Sequence, residues 1–169
     1  MTIEEAIHTA IEHENSVRDV YVDASGKIED PIGKKVFTVL AREEQGHVNF
    51  LSDCMKQWRE TGKVNPMRLN TAVPARAVID KALSALSAGM DIKDRGTELD
   101  MLRQALAAEH KTSAFYRQMV AELPPEGQAL FQPFVEIEEG HVAIVQAEMD
   151  ALTGTGTWFD VLEISLEAG

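Results

Sequence analysis

Two pairs of residues in this chain stand at the spacing that lets one helix offer an oxygen and a nitrogen to a single cation. Glu44 and His47 lie in Ala41-Arg42-Glu43-Glu44-Gln45-Gly46-His47, and Glu138 and His141 lie in Glu136-Ile137-Glu138-Glu139-Gly140-His141. Residues three apart on a helix share a face about one turn apart. Each pair can present a carboxylate and an imidazole, and two such pairs facing each other make a site for two metal ions.

Alone, a Glu-x-x-His is weak evidence in a chain with 28 acidic residues and five histidines. Glu5-Ala6-Ile7-His8 fits the same pattern. It lies roughly 13 Å along its helix from Glu14 at 1.5 Å per residue, with no counterpart elsewhere, so Glu5 and His8 are assigned to the surface. Register separates the other two. Glu44 and Glu138 are 94 residues apart, as are His47 and His141, while Glu14 and Glu109 are 95 apart, as are Tyr21 and Tyr116. The chain thus reads as two related helical hairpins, each with a Glu, a Tyr seven residues on, a turn, and then Glu-x-Gly-His. Residues that face each other on antiparallel helices lie equally far from the turn between them. The midpoint of Glu14 and Glu44 is residue 29, inside Gly26 to Pro31, and that of Glu109 and Glu138 falls at Leu123-Pro124-Pro125. In each hairpin the single Glu therefore faces the Glu-x-x-His pair.

The elements that must position these groups are four helices. Thr2 and Glu5 have capping-box spacing, and Ile3, Ile7, Ala10, Ile11, Glu14, Val17 and Tyr21 follow at helical intervals, predicting a helix over 2–25. Asp30-Pro31 is a start signal for a second helix over 30–60, with Val36, Leu40, Glu44, His47, Leu51, Met55 and Trp58 on one stripe. Residues 63–94, with Pro66, Pro74 and Gly89 and a short helix at 74–88, read as a crossover long enough to let the second and third helices run parallel. The third helix is expected over 95–122 with Leu99, Leu102, Leu106, Glu109, Ser113 and Tyr116 on one face. The fourth is expected over 125–152, with a kink or broken hydrogen bond at Pro133, about one turn before Glu138. The fold class is all-α: a four-helix bundle of two hairpins over 1–153, with a C-terminal packing segment over 154–169 of the same domain. That tail holds Trp158, Phe159, Val161, Leu162 and Ile164, too apolar for a solvated end, and packs on this subunit or a neighbour.

Composition agrees and narrows the partners. At 169 residues the chain suits one domain with a full core. A formal charge of -12 with pI near 4.8 disfavours nucleic acid and anionic membranes and favours cations. The single cysteine, Cys54, excludes an internal disulfide and a four-cysteine metal module, and is read as a buried core residue. The N-terminal residues lack a basic segment followed by an apolar run, and no stretch reaches the roughly 20 apolar residues of a membrane span, so a cytoplasmic protein is expected.

Four carboxylates and two imidazoles in an apolar bundle would each lose several kcal/mol of solvation, on the order expected for buried ions, unless cations compensate them. Oxygen-rich ligation with one imidazole per ion suits Fe(II), Mn(II) or a mixed pair better than structural zinc or calcium, and bridging carboxylates imply two ions. His13 and His110 neighbour candidate ligands in sequence and point about 100° away, so both are expected at the surface. Glu43, Gln45 and Glu139 are expected in solvent or around the ligands. Gly46 and Gly140, each just before a histidine, weaken a helix interior by about 1 kcal/mol and suggest close helix packing there. Met55, Met90, Met101 and Met119 are read as core filler.

With these residues in place, residues 2–152 resemble the ferritin-like di-iron carboxylate superfamily, and within it the rubrerythrin-type domain. Carried over by position, Glu14 and Glu109 resemble the single carboxylates of the first and third helices, and Glu44 with His47 and Glu138 with His141 the paired ligands of the second and fourth. The resemblance implies two iron ions reacting with O2 or hydrogen peroxide. Tyr21 and Tyr116 are candidates to hydrogen-bond a ligand or the oxygen species, or else core tyrosines. Rubrerythrins proper carry a further carboxylate where this chain has Thr112, which bears on their peroxidase cycle. They also append a four-cysteine rubredoxin module that this chain lacks, so a separate electron donor is expected. A homodimer or larger homo-oligomer is expected too. Iron storage or detoxification by such an oligomer is the alternative, and a metal-free helical interaction module a third reading.

Overall fold

A computed structural model describes residues 1–29, 31–64, 69–74, 79 and 96–153, apart from the side chain of Ile32. Four helices make up the regular structure among these residues: α1 (Ile3–Lys27), α2 (Pro31–Thr61), α3 (Gly96–Glu122) and α4 (Pro125–Leu152). They agree with the predicted spans to within two residues at each end. The proposed cap Asp30, most of the short helix at 74–88, Met90 and the tail 154–169 lie outside the described residues.

Local chemistry sets the boundaries. Thr2 Oγ1 accepts from the Glu5 N–H at 3.2 Å while Glu5 Oε2 accepts from the Thr2 N–H at 2.7 Å, the reciprocal capping box that opens α1. This is the fate of the false motif: Glu5 caps the helix, and the exposed His8 stands 3.8 Å from Glu12. Pro31 opens α2, and Pro125 opens α4 just after Pro124, where proline's missing N–H matters least. α4 then continues through Pro133, whose ring removes one hydrogen bond from the ladder.

Side-chain pairs give the helix directions. Arg59 reaches Glu4 and Phe37 packs on Tyr21, so α2 runs antiparallel to α1. Tyr116 meets Phe131 while Glu109 meets His141, so α4 runs antiparallel to α3. Tyr116 reaches Glu14 and Tyr21 reaches Glu109, which sets α3 antiparallel to α1 as well. Hence α2 and α3 are parallel, and the connection between them must travel the length of the bundle. Part of it returns to the core, where Val73 and Ile79 are buried.

The apolar interior falls into two clusters. One gathers Val17, Phe37, Leu40, Leu102 and Ile144, and the other Ile7, Leu51, Met119, Phe131 and Phe134. Cys54, Met55, Met101 and Met119 are buried filler, as expected. The inward face of α3 is wider than the predicted one: Leu102, Glu109, Ser113 and Tyr116 are buried as expected, Glu98, Met101 and Ala105 join them, and Leu99 and Leu106 sit at its margin. Packing against both α1 and α4 broadens that face beyond a single stripe.

The two glycines before the histidines differ, and for neither is helix–helix packing the reason. A Cβ on Gly140 would stand 3.0 Å from the Pro74 carbonyl oxygen and 3.2 Å from Val73 Cγ1, so the α2–α3 connection lies against it. Gly46 is exposed, with no atom of the described residues within 4 Å of its Cβ position. Gly46→Ala should therefore stabilise the metal-free protein by about 1 kcal/mol through helix propensity. Gly140→Ala should gain less or lose, because the connection must shift by a few tenths of an ångström. Equal gains in the two denaturation midpoints would contradict this packing.

Candidate metal centre

Between the two apolar clusters lies a polar layer. Glu14 comes from α1, Glu44 and His47 from α2, Glu109 from α3, and Glu138 and His141 from α4, and none of the six is more than 1% exposed. The inward stripe of each helix carries them to one level. All six residues selected by register are brought together.

The contacts are nearly two-fold. His47 Nδ1 lies 3.1 Å from Glu14 Oε2, 3.1 Å from Glu44 Oε2 and 3.6 Å from Glu138 Oε1. His141 Nδ1 lies 2.8 Å from Glu44 Oε1, 3.6 Å from Glu109 Oε1 and 3.8 Å from Glu138 Oε2. The imidazole rings stack with centroids 5.6 Å apart and planes 11° from parallel. Two quartets can each hold an ion: Glu14, Glu44, His47 and Glu138, and Glu44, Glu109, Glu138 and His141, with the ligand atoms of each within 4.8 Å of one another. Glu44 and Glu138 belong to both. A carboxylate has two oxygens, so these two glutamates can span a pair of ions, each ion keeping one further carboxylate and one imidazole.

The donors are also left incomplete in the way a cation would complete them. Both oxygens of Glu138, Glu44 Oε1 and Glu109 Oε2 are buried without a hydrogen-bond partner among the described residues. His141 Nδ1 is close to Glu44 Oε1 without the alignment of a hydrogen bond. Buried carboxylate oxygens in that condition are expensive to maintain unless a cation is present. The residues therefore fit a pair of divalent ions.

Tyr21 and Tyr116 seal the layer from opposite sides. Tyr21 packs in one apolar cluster and donates its hydroxyl proton to Glu109 Oε1; Tyr116 packs in the other and donates to Glu14 Oε1. Each tyrosine thus holds the single glutamate of the opposite hairpin, and both hydroxyls are spent on carboxylates. Burial, reinforced by Glu109 for Tyr21 and by Glu14 for Tyr116, pushes both phenols well above their ordinary range.

Without ions, protons balance the layer. Burial and the adjacent Glu44 raise Glu14 to about 8, and burial with Glu14, Glu44 and Glu109 holds Glu138 well above the carboxylate range. Burial would also raise Glu44, but the His141 and His47 imidazoles outweigh it and hold that carboxyl well below its usual value. Burial depresses an imidazole, yet Glu44 and Glu14 carry His47 up to about 10, and Glu44 and Glu109 carry His141 well above the ordinary value. Ligation requires deprotonated carboxylates and imidazoles, so ions bound here would displace these protons.

Other expectations divide. His110 is exposed and Gln45 pairs with Arg18 and Asn49 at the surface, as anticipated. Glu139 faces Arg117. His13 departs from its expected surface place: it is half-buried, its ring centroid 4.9 Å from that of Phe115, because α3 packs over that side of α1. Glu43 is half-buried and lies by His47 and His141. Its position four residues before His47 was the available signal. Thr112 and Ser113, one turn after Glu109, are buried with hydroxyls unpartnered among the described residues.

Among solved structures, the chain is similar to a hypothetical protein from Pyrococcus furiosus, with a TM-score of 0.65, 21% identity and 94% of each chain covered. At that identity the likeness speaks for the fold. No protein-family model matches the chain, and no curated protein does. No helix among the described residues is long and apolar enough to cross a membrane.

A raised group favours the folded state at pH below its unfolded value, and that contribution is lost as pH climbs through the folded value. For Glu14 this window runs from 4.5 to about 8, and for His47 from 6.5 to about 10. The chelator-treated protein should therefore lose thermal stability as pH rises from about 7 to about 10, while the metal-loaded protein, having already shed these protons, should not follow it. A melting temperature of the metal-free form that is flat or rising over this range would refute the proton-balanced layer.

Proposed function

We propose that this chain is a non-haem di-iron protein of the rubrerythrin type, acting as an oxidoreductase on O2 or hydrogen peroxide with electrons from a separate donor. The observation that carries this reading is the sharing of Glu44 and Glu138 between two ligand quartets, each completed by one carboxylate and one histidine. Two iron ions so placed would supply paired one-electron changes next to each other, the requirement for reducing an O–O bond.

The side chains have distinct parts. Glu14 with His47 and Glu109 with His141 would hold one ion each, and Glu44 and Glu138 would span the pair. Tyr116 and Tyr21 restrain Glu14 and Glu109 by donating to one oxygen of each, and the second oxygen of each carboxylate would remain available to a cation. The apolar clusters above and below exclude water, which strengthens every charge interaction in the layer. Three carboxylates and one imidazole per ion leave room for an exogenous ligand, as catalytic metal sites require.

Anaerobic titration with Fe(II), followed by absorbance or calorimetry, should break at two equivalents. Glu138→Ala should abolish that break, because it removes a ligand common to both quartets. Two ions still bound by the variant would show the ligand set to be wrong, and no binding by the wild type would sink the proposal. Mixing the loaded protein with O2 and with peroxide then separates the oxidoreductase from a storage protein, which would turn over added iron continuously and accumulate ferric product.

A further inference from the structure

A histidine that gives Nδ1 to a cation keeps its proton on Nε2 and becomes a donor there. In this bundle the Nδ1 atoms of His47 and His141 face the carboxylates, and both Nε2 atoms are buried without a hydrogen-bond partner among the described residues. Two buried N–H groups with nothing to accept them are unfavourable, and the orientation of ligating imidazoles is generally set by whatever accepts from the far nitrogen.

Outside the four carboxylates of the layer, Glu43 has an oxygen within 4.8 Å of a ring nitrogen of both histidines. It sits one turn before His47 on the same side of α2, half-buried, with both of its oxygens engaged by the α2–α3 connection. Its Oε2 accepts from Thr71 Oγ1 at 2.6 Å and its Oε1 from the Ala72 N–H at 3.1 Å. Thr71 Oγ1 in turn accepts from the Val73 N–H at 3.0 Å. Val73 is buried, and with Pro74 it lies over Gly140, the residue before His141. One carboxylate, clamped by the α2–α3 connection, is thereby placed beside both imidazoles. The hairpin repeat offers no second one, because the position 94 residues after Glu43 is Ile137.

We propose that Glu43 is a positioning residue for both His47 and His141, accepting from their Nε2–H groups and anchored for that purpose by Thr71 and the Ala72 amide. At a separation of up to 4.8 Å from a ring nitrogen, a single water could complete each contact. The carboxylate would fix which nitrogen of each ring is protonated, aim Nδ1 at the ions, and tie the geometry of the metal centre to the connection. This inference rests on the di-metal reading given above.

Zn(II)-loaded protein with 15N-labelled histidine provides a test independent of turnover. In the wild type both Nε2–H protons should be observed by NMR and exchange slowly with solvent. In Glu43→Gln, which keeps the size and one acceptor oxygen but not the charge, both signals should move and exchange faster. Glu43→Ala should also weaken Zn(II) binding, measured by chelator competition, about 10- to 100-fold. Thr71→Val, which frees Glu43 without removing it, should act in the same direction by less. Two equivalents of Zn(II) bound at wild-type affinity by both Glu43 variants, with unmoved ring signals, would overturn the role of Glu43 alone. Fewer than two equivalents bound by the wild type would sink the di-metal reading, and this inference with it.

Discussion

Six ionisable side chains from four helices meet in a layer from which water is excluded, and the rest of the bundle has to satisfy their mutual electrostatics. Like charges so close cannot all ionise in a medium of low dielectric constant. The layer settles into alternating roles: Glu44 stays ionised between two imidazolium groups, while Glu14 and Glu138 hold protons. On the proposed reading, divalent ions take over the work of those protons. On the same reading, Glu44 and Glu138, each in contact with both histidines, would be the bridges between the ions.

The scaffold serves this layer through its symmetry. Each hairpin carries one Glu, one Tyr and one Glu-x-x-His, and packing the two hairpins against each other sends each tyrosine across to the carboxylate of the other. A tyrosine suits that boundary because its ring belongs with the apolar cluster while its hydroxyl needs a polar partner. Tyr21 and Tyr116 thereby join hydrophobic packing to ligand geometry. A shift of one hairpin along the other would break both hydrogen bonds at once and separate the two histidine rings.

Where the molecule departs from two-fold symmetry, the α2–α3 connection is the cause. It lies on α4 at Gly140 and binds Glu43 of α2 through Thr71 and Ala72. The equivalent positions, Gly46 and Ile137, have no such partner segment described against them: no atom of the described residues lies within 4 Å of a Cβ on Gly46. Two hairpins of related sequence need only one long connection, so one face of the bundle is strapped, and the two imidazoles acquire a common neighbour that the repeat alone would not supply.

The helices, their antiparallel pairing within hairpins and the six residues of the layer were legible in the sequence because each follows from local periodicity and from equal distance to a turn. Glu14, Glu44, Glu109 and Glu138 could be placed at one level by counting residues. Counting also set Glu5 and His8 aside, and the capping box shows what they do instead. Tertiary structure alone decided which groups touch across hairpins: that Tyr21 serves Glu109 and not Glu14, that His13 rests on Phe115, and that Glu98 turns inward while Leu99 does not. It alone distinguished Gly140 from Gly46 and drew Glu43 toward the histidines. Periodicity specifies the direction of a side chain from its own helix axis, whereas contact with a neighbouring helix or a crossing connection depends on how the axes are set against each other, and no single helix encodes that.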